Sequence, residues 1–582
     1  MDAFAGRFKC RLATPPSIHY IFAVRCPKTR SESGSSLQNA WIRRDAWLLA
    51  WLLLAAVAAW GWPATAIDET RSLSVAWEMH AQGAWLLPRL NGGWQAQEPP
   101  LLFWIIGAAW NLFGVSAGCA RLVIVAMGLA TMGIVGLLAR RLWPQAEGVG
   151  RLAALLTGGT LLWALWSAAI LFDMLLAACV AGGALALHAA SCGGRAGRAG
   201  WVGFAAAMGL GLLGKGPVIL LHLLPLALAA PWWSAAVRER PARWFAGVAI
   251  ALIVGITVAL AWALPAAAVA GERFGVEIIR DQMTGRAIHG LSHLRPWWWY
   301  LPILPLLLLP WAAWPDWWRQ LRSALRSDEP GVRFSLAWLA SFLPFCFVSA
   351  KQPHYLLPLI PAIAMLVARS VSMGSAMSYS GGRRLAMLPL ALLGAVLAVG
   401  LLGPEDWHGG WLRDVHPAWG AAILVAVGWA AFPDRMTMSS AVLRIHVATV
   451  VAVALLVTAL QGSQSGRSFD TSGAGREIAS LQAGGVVTAC WGEYRGQLGF
   501  AGRLTGPMPE ARDIEDLRAL VVRAPGARVL VESRRNPLLA AGVPPEAAFA
   551  YRRKYWSIWP AQQLVADPGI LRLIRTTPRL RD

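Results

Sequence analysis

Long apolar runs alternate with short polar breaks along the chain, and most runs have the length of a membrane-crossing helix. They fall near 46–62, 121–139, 152–169, 174–190, 201–213, 216–233, 244–266, 297–315, 334–349, 355–370, 385–403, 417–432 and 441–461. A helix of about 20 apolar residues covers roughly 30 Å of hydrocarbon, so these thirteen runs predict thirteen spans. One further stretch, "LLFWIIGAAWNLFG" (101–114), follows Pro99-Pro100 and is short for a crossing. It is predicted as a helix lying in the membrane interface.

The basic residues test that parity. With the N-terminus inside, the cytoplasmic loops carry Arg140, Arg141 and Arg151; Arg195 and Arg198; Arg238, Arg240 and Arg243; Arg319, Arg322, Arg326 and Arg333; Arg383 and Arg384; Arg435 and Arg444. Every such loop is basic, as the positive-inside rule requires. Counting 101–114 as a span would reverse most of them. The placed carboxylates then fall outside: Asp68, Glu69, Glu78, Glu98, Asp173, Glu272, Glu277, Asp281, Glu405, Asp406 and Asp414. The face opposite them is expected to be merely basic.

Three segments follow. Residues 1–44 form a basic cytoplasmic segment without a compact cleavable signal. Residues 45–461 form the transmembrane domain, with an interfacial external loop over 64–118. Residues 462–582 turn polar, with strand-like runs ("GVVTACW" 485–491, "GARVLVE" 526–532) and a helix-like run (511–523). About 120 residues suffice for a small α/β domain. The fold class is thus an all-α polytopic membrane protein with a small external α/β domain at its C-terminal end.

Composition agrees: 57% of the 582 residues are hydrophobic and 14% charged. The net charge of +21 would suggest nucleic acid in a soluble domain. Here the charge sits in short loops between apolar runs, so nucleic acid is excluded as a partner. The seven cysteines form no CxxC pair and no metal-ligand spacing.

The candidate chemistry lies on the external side. Asp68 and Glu69 stand just beyond the first apolar run, at the start of a segment where Leu73, Trp77 and Ala81 recur at helical spacing. Such a segment suits an amphipathic helix in the interface. The plainer reading of Asp68 is a helix N-cap, which is compatible with a working role. Asp173, in "AAILFDMLLAACV", is an isolated carboxylate between two spans, and an ionisable group so placed is a functional candidate or a simple loop residue. Lys215, in "LLGKGPVILL", has glycines on both sides and suits phosphate as a point charge, or else snorkels. Lys351, His354 and Tyr355, in "SAKQPHYLLPLIP", repeat a cation, a proline break and two groups able to bond an oxyanion. Arg280, Arg286, His289, His293 and Arg295 crowd the loop between the seventh and eighth spans. The spacing of the two histidines is weak ground for a metal without a third ligand.

"DETRSLSVAWEMHAQGAWLLPRLNGGWQAQEPPLLFW", followed in order by "FDMLL", "GKGPVILL", "RPWWWYLPILPLLLLPW" and "KQPHYLLPLIPAIAML", resembles the membrane glycosyltransferases of the GT-C type. The likeness is strongest to the 4-amino-4-deoxy-L-arabinose lipid A transferases and the dolichyl-phosphate-mannose protein mannosyltransferase-like bacterial proteins. It covers about residues 45–370, and more loosely the whole chain. The resemblance implies transfer of a sugar from a polyprenyl (undecaprenyl) phosphate to a lipid A, glycan or protein acceptor at the periplasmic face of the bacterial inner membrane. It makes Asp68 central to catalysis, with Glu69 beside it and Asp173 as the second loop aspartate. Lys215, Tyr355 and Arg286 match positions around the donor phosphate, and Lys351 and His354 join them as phosphate-binding candidates. Arg89 and Glu98 are candidates for positioning the loop or the acceptor. One departure matters: the aminoarabinose transferases read Glu-Lys-Pro where this chain reads Gln97-Glu98-Pro99-Pro100. That charge reversal separates the reaction class from the identity of the sugar.

The chemistry of that class fits fixed cations near a leaving phosphate, which stabilise charge developing in the transition state. Lys215, Arg286 and Lys351 would supply it. A hydroxyl acceptor would need Asp68 to take or orient its proton, whereas an anionic phosphate acceptor would need no base. No cofactor is required by the sequence. A divalent metal on Asp68 and Asp173 stays open, two carboxylates being short of a ligand set. The competing class is a lipid or sugar transporter, which would place ionisable groups near the bilayer midplane and often show repeats; none is visible.

Overall fold

The computed structural model describes residues 34–573 except 62–63, 66, 96, 272–294, 349, 374–381, 400–414, 434–435, 541–542 and 553. Each of the thirteen apolar runs contains helix among its described residues. Among the described residues, seven helical segments are individually long and apolar enough to cross a membrane: Ala117–Leu142, Asp173–Ser191, Gly194–Lys215, Pro241–Ala270, Pro330–Phe347, Pro353–Met373 and Met438–Gly462. The protein is therefore a multi-pass, mostly helical membrane protein.

The site is carried by the first part of the chain. Helix α1 is Gly34–Gly61, α2 Asp68–Gln82, α3 Leu101–Phe113, α4 Ala117–Leu142, α5 Val149–Gly158, α6 Leu161–Trp166, α7 Asp173–Ser191, α8 Gly194–Lys215 and α9 Val218–Leu228. Between α2 and α3 lies a two-stranded hairpin, β1 Arg89–Leu90 and β2 Gly93–Trp94, paired antiparallel. Its turn residues Asn91 and Gly92 both have positive φ, 57° and 77°, the backbone that an Asn-Gly hairpin turn demands.

The third apolar run, 152–169, is not one continuous helix. It breaks between α5 and α6, where Thr160 turns its hydroxyl back to Leu156 O and the Trp311 indole donates to both. Leu161 N meanwhile donates to Leu309 O of the segment packed alongside. Backbone freed by the break is thus bonded within the protein, as irregular backbone in a membrane domain must be. Helix α3 appears where the interfacial helix was expected. At about 1.5 Å per residue its 13 residues span about 20 Å, short of a bilayer core.

α7 and α8 form an antiparallel hairpin joined at Cys192–Gly193. Its open end therefore brings together the first residue of α7, Asp173, and the last of α8, Lys215. Arg195 and Arg198 lie at the opposite end. At the Arg140–Arg141 end of α4, the face expected to be merely basic also carries acids. Trp143 and Arg369 both donate to Glu329, Arg333 pairs with Asp328, and Arg319 pairs with Asp316. These pairs pin the loops in which they lie.

Arg369 holds the Glu329 carboxyl below its usual range, chiefly by hydrogen bonding and against the opposing effect of burial. A lowered folded-state value means stability that is present above the unfolded value and lost as pH falls through the folded one. The thermal midpoint is expected to drop as pH is lowered below 4.5. Glu329→Gln should flatten part of that drop, read from melting curves of the detergent-solubilised protein at stepped pH.

The C-terminal module, residues 464–573, holds a five-stranded mixed sheet. Its strands are β3 Thr488–Trp491, β4 Glu510–Ala511, β5 Arg528–Ser533, β6 Ala547–Tyr551 and β7 Lys554–Pro560, in the order β4-β3-β5-β7-β6. β3 is parallel to β4 and β5, whereas β7 is antiparallel to β5 and β6. Alternate residues of β5 feed two cores: Val529 and Val531 pack with Leu517, Trp559 and Leu564, while Leu530 packs with Ile478, Leu498 and Trp556. The strand-like runs at 485–491 and 526–532 thus contain strands β3 and β5. The run at 511–523 becomes helix Ile514–Arg523, capped by the Asp513 carboxylate on Asp516 N.

Candidate functional site

Four residues singled out from the sequence converge at the open end of the α7–α8 hairpin. Lys215 Nζ lies 2.5 Å from Asp173 Oδ1, and His354 Nε2 lies 3.8 Å from Asp173 Oδ2. The Lys215 ammonium also sits 5.4 Å from the ring centre of Tyr355. His354 stacks on Trp166 at 5.5 Å and meets Tyr355 edge-on at 5.0 Å. The helix ends suit the charges they carry: a carboxylate at the start of α7 meets a partial positive charge, and an ammonium at the end of α8 a partial negative one. The pair is buried, with side chains 10% and 4% exposed for Lys215 and Asp173, while His354 keeps 21%.

Two elements close over this cluster. The start of α3 packs against both partners' helices: Phe103 meets Phe172 edge-on at 5.4 Å, and Leu101 lies beside Gly214. The start of α2 is tied to the loop leading into Asp173 through Glu69. Its Oε1 accepts from Ile170 N at 2.7 Å, and its Oε2 accepts from Thr65 N, Thr65 Oγ1 and Arg121 Nη2 at 2.6, 2.6 and 3.1 Å. Arg121 in turn donates to Ala168 O.

This corrects the expectation for Glu69. Its carboxylate is buried and saturated by four donors, so it serves as a structural anchor and not as a group open to substrate. Arg121, its counter-charge, was passed over in the sequence because it begins an apolar run like an ordinary border residue. Only its complete burial shows that a partner carboxylate had to exist.

Asp68, next in sequence, behaves in the opposite way. Its side chain is 69% exposed and pairs with Arg71 at 3.0 Å. It is the first helical residue and caps nothing, the N-cap position being Ile67 without a side-chain bond. Its charge is felt by Arg495 of the C-terminal module, which is held protonated first by its bond to Glu493. Asp68 and Asp173 are engaged by different cations. The cavity of about 540 Å³ in the C-terminal module, beside 503–509, is lined by none of the cluster residues.

Lys351 also departs from expectation. Its ammonium donates to Val348 O at 2.5 Å and Arg295 O at 3.1 Å, so it closes the chain end of one helix and is spent on carbonyls. Lys351→Met is expected to lower the thermal midpoint while leaving the KM for a donor unchanged; a raised KM at unchanged stability would return it to the phosphate. Arg89 donates to Gln82 Oε1 at 3.1 Å and lies over the Trp94 ring at 4.3 Å, bracing the hairpin. Glu98 is half-buried just ahead of α3. Arg286, with Arg280, His289 and His293, lies outside the described residues. Among the described residues no three His, Cys, Asp or Glu side chains form a metal-holding group.

Three comparisons bear on this arrangement. The family model described as dolichyl-phosphate-mannose-protein mannosyltransferase matches residues 97–262. An undecaprenyl phosphate-alpha-4-amino-4-deoxy-L-arabinose arabinosyl transferase of Pseudomonas paraeruginosa is 30% identical over 52% of this chain and 55% of its own. That of Pseudomonas aeruginosa strain PAO1 is 30% identical over 56% of this chain and 59% of its own. The chain thus spans between half and two thirds of the length of these curated relatives. Crystal structures of ArnT from Cupriavidus metallidurans, apo and bound to undecaprenyl phosphate, superpose with TM-scores of 0.67 and 0.68 at 18% identity, covering 90% of this chain and 98% of theirs. The fold is that of these proteins, and the chain resembles the GT-C membrane glycosyltransferases.

Proposed function

We propose that the protein is a glycosyltransferase of the bacterial inner membrane that takes a sugar from a polyprenyl phosphate, undecaprenyl phosphate by its relatives, and passes it to a lipid or glycan acceptor at the periplasmic face. The carrying observation is the Asp173–Lys215 pair with His354 and Tyr355, assembled at one end of a helical hairpin and overlaid by α2 and α3. In this reading the thirteen runs are thirteen spans, residues 45–461 are the catalytic domain, and the C-terminal module is a periplasmic α/β domain.

The leaving group of such a reaction is a phosphate monoester on a lipid, which gains negative charge as the glycosidic bond breaks. Lys215 supplies a fixed cation, and Tyr355 and His354 supply donors beside it, so charge is met where it develops. Asp173 holds the ammonium in place through Oδ1, while its Oδ2 faces His354 Nε2. Asp68, exposed at the start of α2, receives the proton of a hydroxyl acceptor or orients it. Arg286 is expected to add a second cation on the phosphate. Glu98, where the aminoarabinose transferases carry a lysine expected to contact phosphate, places a carboxylate near the start of α3 instead, a reversal of charge that leaves the reaction class intact.

The test uses the purified full chain in proteoliposomes with undecaprenyl phosphate carrying a radiolabelled sugar and an envelope lipid extract as acceptor. Labelled acceptor and free undecaprenyl phosphate are expected. Passage of intact labelled donor across the bilayer without bond cleavage would replace this reading by transport.

A further inference from the structure

The C-terminal module grips the elements that overlie the cluster, and the grip centres on one side chain. Asn91, at the hairpin tip, has a left-handed backbone, φ 57°, a conformation asparagine tolerates better than other non-glycine residues. Its amide side chain pairs with the main chain of Met508 in both directions: Nδ2 donates to Met508 O at 2.8 Å, and Oδ1 accepts from Met508 N at 2.6 Å. A side chain thereby takes the place of a neighbouring strand. The tip is also bonded downward, since Asn91 N and Gly92 N donate to the two oxygens of Glu78 on α2 at 2.5 and 3.1 Å. Glu78 is buried, so the hairpin cannot lift without exposing or orphaning a carboxylate.

One turn earlier on the same face of α2, the buried Ser74 hydroxyl donates to Gly496 O at 2.6 Å and accepts from Phe500 N at 2.8 Å. The Trp77 indole donates to Leu504 O at 2.9 Å. Arg503 lies over Trp77 and Phe500 and donates to Val115 O beyond α3, while Phe500 stacks on Trp110 of α3 at 5.4 Å. Residues 496–508 therefore touch α2, the hairpin and α3. From the hairpin the chain runs through Glu98 to Leu101, which packs beside Gly214 next to Lys215.

We propose that Asn91 is a positioning residue through which the C-terminal module holds the 89–100 segment in register over the Asp173–Lys215 cluster, so that the module sets the pose of substrate although it contributes no reacting group. The inference rests on the proposed glycosyl transfer for its kinetic consequence and on hydrogen bonding alone for its structural one.

The experiment compares the full-length protein in lipid nanodiscs with Asn91→Gly and Asn91→Asp. Glycine accepts the left-handed backbone but removes the amide pair, so the fold is kept while the tie is cut. Aspartate keeps the acceptor for Met508 N and loses the donor for Met508 O. Amide exchange over 89–95 is expected to quicken at least tenfold in Asn91→Gly, with exchange within α7 and α8 unchanged. Transfer from undecaprenyl phosphate-linked sugar is expected to lose about 10- to 100-fold in kcat/KM, the scale of a misplaced substrate, with Asn91→Asp in between and melting temperatures close to wild type. Unchanged exchange over 89–95 would overturn the tie. Faster exchange with wild-type kcat and KM would overturn the positioning role. If wild-type protein itself transfers no sugar, the proposed function fails, and the kinetic half of this inference fails with it, while exchange still decides the tie.

Discussion

Replacing Lys215 by methionine is expected to reduce sugar transfer by at least about 10²-fold, the scale of losing one preorganised partner to developing charge. The same change is expected to cost the fold about 3–5 kcal/mol, because it strands Asp173 in a buried site without its counter-charge. Both side chains are almost fully buried, so little solvent screening reduces the cost. The paired variant Asp173→Leu with Lys215→Met separates the two effects. Removing both charges together should restore the melting temperature to near the wild-type value, since a buried ion pair is often no more stable than apolar residues of similar size. Transfer should remain at background. Melting curves and a transfer assay on the three proteins decide it, and a single variant as stable as wild type would remove the pair from the account.

The second large effect comes from two carboxylates that are neighbours in sequence and opposite in circumstance. Asp68→Asn is expected to leave stability within about 1 kcal/mol, because its pair with Arg71 is an exposed one. It should still lower transfer by about 10²- to 10⁴-fold if the acceptor is a hydroxyl. Glu69→Gln should do the reverse first: Arg121, buried without its counter-charge, destabilises the protein by about 3–5 kcal/mol, and activity is lost in proportion to folded protein. Specific activity per folded molecule, measured after sizing, distinguishes the two. An active Asp68→Asn enzyme would move the proton-handling role elsewhere or show that the acceptor is an anion that needs none.

That contrast marks how far the sequence could be read. Apolar length is a property of segments, which is why the helical runs and the short separate helix α3 were legible. Asp173, Lys215, His354 and Tyr355 could be gathered because isolated polar groups in apolar surroundings announce themselves one at a time. What a lone residue cannot announce is its partner. Lys351 looks in sequence like a second Lys215, yet one ammonium meets a carboxylate and the other meets two carbonyls. Glu69 looks like a second Asp68, yet Arg121 lies 52 positions away at the border of an apolar run. The Asn91-Gly92 pair is a local hairpin signal between Leu90 and Trp94. Its bond to Met508, across 417 positions, was beyond any local pattern, as was the docking of 496–508 on α2.

The bond between Lys215 and Asp173 also bears on which anions the site admits. An ammonium already neutralised at contact distance offers little attraction to inorganic phosphate diffusing past the membrane surface. An anion must displace the carboxylate, and a dilute soluble one competes poorly. A phosphate fixed to a long isoprenoid chain arrives confined to the bilayer, at an effective concentration that free ions do not reach. In the proposed enzyme the salt bridge thus acts as a filter for membrane-borne ligands.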